Sequence, residues 1–305
     1  MLRRDYDVVI LTNDILGPDI WLSCLLSHWV GIPVCLWGQG ISRPPSWLRD
    51  TLRYWLTSLA TAALYYTDSV KNYWIKKGIP SEKLFVAYNA LNTDEQIRIR
   101  DSLSLSDLDA FLSSHGLAGR KIVTFLGRLI PEKKPWLFLD IVKKTVALEP
   151  TIIGIIIGDG PERERLEAQA HHLGISGQIR FLGAVYEEEL LAKYLMTSVV
   201  VVLPAFAGLA IQHAAVYGTP LILGDLPHSH GPEQEIVVHN HTGLWSPAED
   251  IDAFANAILR LIREPDLRCM LSHNLKKIID EKYNVERMTQ GFLDAVHYCL
   301  HGRTY

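Results

Sequence analysis

The stretch VVVVLPAFAGLAIQHAAVYGTPLILGD, Val199 to Asp225, decides the fold. It reads as a buried strand, a glycine-bearing turn, a short helix and a second buried strand, because β-branched runs without alternation belong to parallel sheets covered on both faces. In an open α/β sheet a ligand sits at the carboxyl ends of the strands, where turn and helix start present free backbone N–H groups. That predicts an anion site near Gly208.

Working outward, similar runs recur with helical stretches between them, the pattern of an α/β protein. Four precede residue 100: 7–11, 33–37, 62–66 and 83–87. Six follow: 121–127, 151–158, 179–183, 198–204, 219–224 and 243–245. Between the groups lies a polar stretch, TDEQIRIRDSLSLSD. Two Rossmann-like domains are therefore expected, 1–115 and 116–284, with a final helix at 285–301 returning to the first. Helices with clear punctuation span PEKKPWLFLDIVKKTVALEP, GPERERLEAQAHHLG and DIDAFANAILRLIREP, stopped by proline or glycine.

Composition narrows the function classes. The 305 residues are 48% hydrophobic with a net charge of −4, which argues against a nucleic-acid partner. The four cysteines show no CxxC pairing, against a zinc or disulfide framework. The N-terminal apolar run breaks at Asn13 and Asp14, so no signal peptide is expected, and no run has the length to span a bilayer. A cytoplasmic protein is the expectation.

Two further strand-turn-helix junctions carry chemistry. FLGRLIPEKKP places Arg128 and Lys133 at a strand's carboxyl end, a planar fork and a point charge suited to a diphosphate; the alternative is two solvated loop cations. IIGDGPERERLEAQA has Gly158 and Gly160 in a tight turn that offers N–H groups, oriented by Asp159, or that is purely structural.

In that order these pieces resemble the C-terminal, nucleotide-sugar-binding domain of GT-B retaining glycosyltransferases of family four (glycosyl transferases group 1). The likeness covers 119–285 and rests on FLGRLIPEKK, IIGDGPERERLEAQAHHLGISGQIRFLG, AFAGLAIQHAAVYGTPLI and GPEQEIVVHNHTGLW, with VCLWGQG and IPSEKLFVAYNALN resembling the end of the N-terminal domain more loosely. It implies two doubly wound domains facing a cleft. Arg128 and Lys133 then hold the donor pyrophosphate beside Gly127, and the Leu182–Gly183 turn lies against the base. The N–H groups of Gly208, Leu209 and Ala210 cap the phosphates. The implied reaction moves a sugar from a nucleoside diphosphate to a polysaccharide or lipid-linked acceptor with retention, using no metal or other cofactor.

The chain also departs from the family pattern. Two glutamates eight positions apart become Ala205 and His213. Alanine loses the hydrogen bonds to the sugar, whereas a neutral imidazole, found here in a polysaccharide-building branch, still meets a ribose hydroxyl or else packs on the helix's inner face. Gln39 stands for a histidine of many relatives; it hydrogen-bonds without shuttling protons, or serves the turn alone. Relatives begin with a further strand, glycine-rich turn and helix, so the N-terminal domain is expected to be incomplete, its sheet open-edged or completed by another chain.

His228, His230, Glu233 and Glu235 form a polar knot. It reads as a metal site or, by the resemblance, a donor-side loop in which Glu233 or Glu235 meets a sugar hydroxyl. Segment 44–60 carries Trp47, Leu48, Leu52, Trp55, Leu56 and Leu59 on one stripe beside Arg43, Arg49 and Arg53, either a core-facing helix or a peripheral contact with the inner face of a membrane. The second functional reading is a non-catalytic GT-B remnant that binds nucleotide or a partner enzyme. A sugar-nucleotide epimerase is disfavoured, since its acid-base groups are not evident.

Overall fold

The computed structural model describes residues 6–42, 45–226 and 230–302. The chain divides into two compact units, one formed by Met1–Leu91 with Lys282–Tyr305 and the other by Asn92–Glu281. All ten strands expected from the sequence are present.

The first unit opens with β1 (Val9–Thr12), α1 (Pro18–Val30), β2 (Val34–Gly38), α2 (Trp47–Leu59), β3 (Ala62–Tyr65), α3 (Asp68–Lys76) and β4 (Leu84–Val86). Its sheet is parallel in the order β1-β2-β3-β4. β3 is buried along its whole length, whereas β1, at an edge, alternates half-buried and exposed residues with Ile10 43% exposed. The Trp74 indole donates to the Gly40 carbonyl at 2.8 Å and so fixes the turn after β2.

The second unit contains α4 (Asp94–Ser102), α5 (Leu105–Ser114), β5 (Lys121–Leu126), α6 (Pro135–Leu148), β6 (Ile152–Ile157), α7 (Arg163–His172), β7 (Ile179–Gly183), α8 (Glu188–Thr197), β8 (Ser198–Leu203), α9 (Ala210–Val216), β9 (Leu221–Asp225), β10 (Leu244–Pro247), α10 (Ile251–Arg263) and α11 (Pro265–Glu281). All six strands are parallel, in the order β10-β9-β8-β5-β6-β7. β6 and β8, the two neighbours of β5, are buried at every position, as expected of strands covered on both faces. Strand order reverses between β5 and β8, so their carboxyl ends flank the topological switch point.

The cover helices are set by their sequence punctuation. α10 starts where Asp250 Oδ1 accepts from the Ala253 N–H at 2.9 Å, and it buries Phe254, Ile258 and Leu261 in the main core. Pro265, read from the sequence as a stop, is also the first residue of α11, where a missing N–H costs nothing. The unit boundary lies at Leu91 rather than 115, because α4 and α5 pack on α8.

The last helix, α12 (Val285–His301), belongs to the first unit and packs on β4, β3 and β2. Its Gly291 sits directly on the Val86 carbonyl, where a Cβ would collide. Lys282 Nζ and Tyr88 Oη both donate to Asp68 Oδ2, at 2.7 Å each, and anchor the returning chain at the start of α3.

On α2 the expected stripe divides. Leu56 is buried and Leu52 half-buried, while Trp47, Leu48, Trp55 and Leu59 are exposed. Arg53 is not a rim cation: it is buried and donates to Ser42 Oγ at 2.9 Å. Arg43 lies outside the described residues. Among the described residues no helix is long and apolar enough to cross a membrane.

Candidate functional site

The switch point gathers the two junctions that the sequence singled out. After β5 the chain turns through Gly127 and Arg128 into a short 3-10 turn, Pro131–Lys133. The Lys133 side chain folds back over Gly127, whose Cβ, if present, would lie 3.2 Å from Lys133 Cε. Lys133 Nζ then donates to the carbonyls of Phe206 (2.9 Å) and Ala207 (2.8 Å) in the loop after β8, and lies 5.0 Å from the Phe206 ring centre. One lysine thereby ties the two strand ends together, with one of its three N–H groups left over. Burial pushes its ammonium down to about 8, against the opposing pull of Glu233. Arg128 is exposed, and its guanidinium has no hydrogen-bond or ion-pair partner among the described residues.

Of the two readings of the GDG turn after β6, N–H cradle or structural turn, its hydrogen bonds match the second. Gly158 N–H donates to the Gly183 carbonyl at 2.8 Å, and Gly160 N–H to Asp159 Oδ1 at 2.7 Å. Both N–H groups are engaged. The glycines are needed for close approach: a Cβ at Gly158 would strike the Gly127 carbonyl, and one at Gly160 the Leu129 carbonyl. Leu129 N–H donating to the Asp159 carbonyl completes the weld between the ends of β5 and β6. Asp159 does orient the turn, but the turn supports Arg128 and Lys133 instead of offering donors of its own.

Of the three N–H groups expected to cap phosphates, that of Gly208 goes to the His230 carbonyl at 3.3 Å. Those of Leu209 and Ala210 find no acceptor among the described residues. Ala205 is buried, 2% exposed, and its methyl presents no polar group. A Cβ placed on Gly231 would meet the Glu233 carboxylate and come within 3.9 Å of Gly208 Cα, and with the Gly208–His230 hydrogen bond this packs the knot after β9 against the Gly208 turn. Glu233 is buried there, near Lys133, and Glu235 is half-buried. The His230 ring contacts the Gly224 carbonyl through Nε2 at 2.5 Å, while His228 lies outside the described residues.

His213, on α9, belongs to a buried polar network. Gln96 Nε2 is 3.1 Å from Glu188 Oε1 and 3.2 Å from His213 Nδ1, and Tyr217 Oη donates to the same Glu188 oxygen at 2.5 Å. A carboxylate only accepts, so the Gln96 atom between them is the amide nitrogen; His213 Nδ1 must then accept, which puts the ring proton on Nε2. Burial lowers the His213 pKa from its ordinary value while Glu188 opposes the shift, and the neutral ring agrees with that arrangement. Gln96 and Glu188 were not read from the sequence. One sits in what looked like a polar linker, the other in a run of three glutamates.

Leu182 and Gly183 end β7, three strand spacings from β8 or about 14 Å across the sheet. Gln39 is exposed just beyond β2 in the first unit.

The family described as "Glycosyl transferases group 1" matches residues 110–278, more than half of the chain. The chain belongs to that family. It is 25% identical over 222 residues to an uncharacterized glycosyltransferase of Methanocaldococcus jannaschii, covering 69% of this chain and 53% of that protein. It is 23% identical over 285 residues to the alpha-D-kanosaminyltransferase of Streptomyces kanamyceticus, covering 88% and 71%. Thus it spans about half the length of the first of these relatives. Among solved structures, Anabaena HepE in complex with UDP superposes with a TM-score of 0.74 at 20% identity, over 96% of this chain and 79% of that one. A Rickettsia africae glycosyltransferase superposes with a TM-score of 0.75 at 15% identity, over 98% and 78%. The fold is that of the GT-B glycosyltransferases.

Proposed function

We propose that this glycosyltransferase is a retaining, family-four enzyme that takes a sugar from a nucleoside diphosphate to a polysaccharide or lipid-linked acceptor in cell-surface glycan synthesis. The observation that carries the reading is the junction at the switch point. A buried lysine bridges both strand ends, an unpartnered arginine stands beside it, and two free N–H groups open α9. The departing diphosphate gains negative charge as the glycosidic bond breaks. Arg128, Lys133 and the N–H groups of Leu209 and Ala210 are donors of the right sign to stabilise it, with Lys133 held in place by the Phe206 and Ala207 carbonyls. With two side-chain cations available for that charge, the reaction as proposed calls for no divalent metal. Support also comes from HepE, which was crystallised with UDP, and from a GDP-mannose-dependent mannosyltransferase of Mycolicibacterium smegmatis, 28% identical over 161 residues.

In this reading the Leu182–Gly183 turn takes the base, Glu233 meets a hydroxyl of the transferred sugar and His213 meets the ribose, while Gln39, in the first unit, is a hydrogen-bonding residue for donor or acceptor. The exposed Trp47, Leu48 and Trp55 rest on the inner face of a membrane where lipid-linked acceptors reside, and the protein works from the cytoplasm.

Calorimetry against UDP, GDP and ADP, with Arg128→Ala as control, tests the proposal. One nucleotide should bind and the variant should bind it weakly; no binding to any of the three sinks the reading. Ala205, a buried methyl where the family places a carboxylate, favours a second reading in which nucleotide binds without sugar transfer. Donor turnover under saturating nucleotide sugar decides between the two.

A further inference from the structure

The His213 network lies between the two ends of the ligand path proposed above. Glu188 comes five residues after Gly183, at the start of the helix that leaves the base-side turn. His213 comes three residues after Ala210, on the helix that starts at the phosphate turn. Gln96 joins the starts of these two helices, and in the proposed reading a nucleoside diphosphate laid between their leading turns has its ribose at this network. This inference rests on the nucleotide-sugar reading.

The hydrogen-bond count then fixes what each group has left to offer. Both N–H bonds of the Gln96 amide are directed inward, to Glu188 Oε1 and His213 Nδ1. Glu188 Oε1 already accepts twice, from Gln96 and from Tyr217. The Tyr217 phenol is pushed up by burial first and by Glu188 second, so it remains a donor. What remains unused is one acceptor, Glu188 Oε2, with no partner among the described residues, and one donor, His213 Nε2–H. Both side chains are half-buried.

We infer that Glu188 is a ribose-binding residue, and that its free carboxylate oxygen and the Nε2–H of His213 together clasp the vicinal 2′,3′-diol of the nucleoside diphosphate. A vicinal diol supplies what the pair lacks: one hydroxyl donates to the carboxylate and the other accepts from the imidazole. The carboxylate that the family pattern places at position 213 is thus restored from a different helix, α8. Gln96 is a positioning residue. By engaging Nδ1 it keeps the proton on Nε2, where it faces the diol.

The test compares whichever of UDP, GDP or ADP binds with its 2′,3′-dideoxy counterpart. The unmodified protein should prefer the ribonucleotide by roughly 10- to 100-fold, the range for a hydrogen bond to a charged group. Glu188→Gln should reduce that preference to about threefold or less. Should Glu188→Gln not fold, Glu188→Asp keeps the charge, withdraws the oxygen by one methylene and is expected to lose the preference too. Retention of the full preference in the folded variant, or none in the unmodified protein, overturns the inference. Failure of ribo- and dideoxynucleotides alike to bind sinks the nucleotide reading itself, and this proposal with it. Nitrogen-15 spectra of the ligand-free protein read the tautomer directly: the His213 ring should show the Nε2–H pattern, and Gln96→Leu should move it toward an exchanging mixture. An Nδ1–H pattern in the unmodified protein refutes the assigned donor.

Discussion

As the diphosphate ligand of the proposed function, Lys133 should make affinity depend on pH in a range where few other groups titrate. Its ammonium sits at about 8 because burial disfavours the charged form. A bound diphosphate adds negative charge against it and holds the proton on. The apparent dissociation constant then scales as one plus ten to the power (pH − 8). That factor is about 1.1 at pH 7 and about 11 at pH 9, a roughly tenfold weakening over two pH units. The last phosphate proton leaves near ~6, so the ligand's own charge is complete before this range begins.

Isothermal titration from pH 6.5 to 9 measures the effect, with Lys133→Met as comparison. The variant should bind roughly 10- to 100-fold more weakly at pH 7 and lose the slope above pH 8. Any titration of the nucleobase appears in both proteins and cancels. Stability runs the opposite way. The unfolded chain keeps this proton up to the ordinary lysine value near ~10.4 and so binds more protons than the folded chain between that value and about 8. The contribution of Lys133 to folding therefore improves as pH rises through that window, and weaker binding at pH 9 is not a symptom of unfolding through this group. A flat affinity profile in the unmodified protein, or an equal slope in Lys133→Met, refutes the reasoning.

Arg128→Ala should weaken nucleotide diphosphate binding by roughly 10- to 100-fold and leave the melting temperature unchanged, because the exposed guanidinium has no partner among the described residues; calorimetry and thermal scanning separate the two. Gly158→Ala should cost about 2–4 kcal/mol, since it places a Cβ against the Gly127 carbonyl at a backbone φ of +140°. Urea unfolding reads that cost, and a stability within about 1 kcal/mol of the unmodified protein refutes the structural role of the GDG turn. Asp250→Ala removes the N-cap of α10 and should cost about 0.5–2 kcal/mol, with Asp250→Asn recovering most of it.

The ten strands were legible because an apolar β-branched run of strand length admits few other fates. α4 was not. DEQIRIRDS has little apolar character, and its one fully buried residue is Gln96, held by hydrogen bonds to partners 92 and 117 positions away. Periodicity registers apolar faces, so a helix anchored by an amide passes for a linker, and the unit boundary drifts with it. The GDG turn was ambiguous for another reason. Gly158 and Gly160 permit both an anion cradle and a backbone weld, and only the positions of Gly127 and Leu129 decide. Lys133 was found by type and spacing, yet its clasp on Phe206 and Ala207 depends on β5 and β8 being neighbours, which is a property of strand order and not of any local motif.

Where the sequence resemblance expects two glutamates, Ala205 and His213 bring no negative charge to the turn after β8 or to α9. Both replacements are neutral in the folded protein, His213 because burial lowers its pKa. Arg128 and Lys133 therefore face no carboxylate from positions 205 and 213, and Glu233 is the carboxylate that bears on Lys133. Less competition for two cations strengthens their hold on a diphosphate, an interaction made by the leaving group and the free nucleotide alike. The hydrogen bonding that a methyl at Ala205 forgoes is different in kind, since it concerns the sugar and contributes only while the donor is intact. Under the proposed function such a site keeps its grip on the nucleotide portion and needs a residue other than Ala205, such as the buried Glu233, to orient the sugar. That asymmetry is why nucleotide binding and sugar transfer have to be measured separately for this chain.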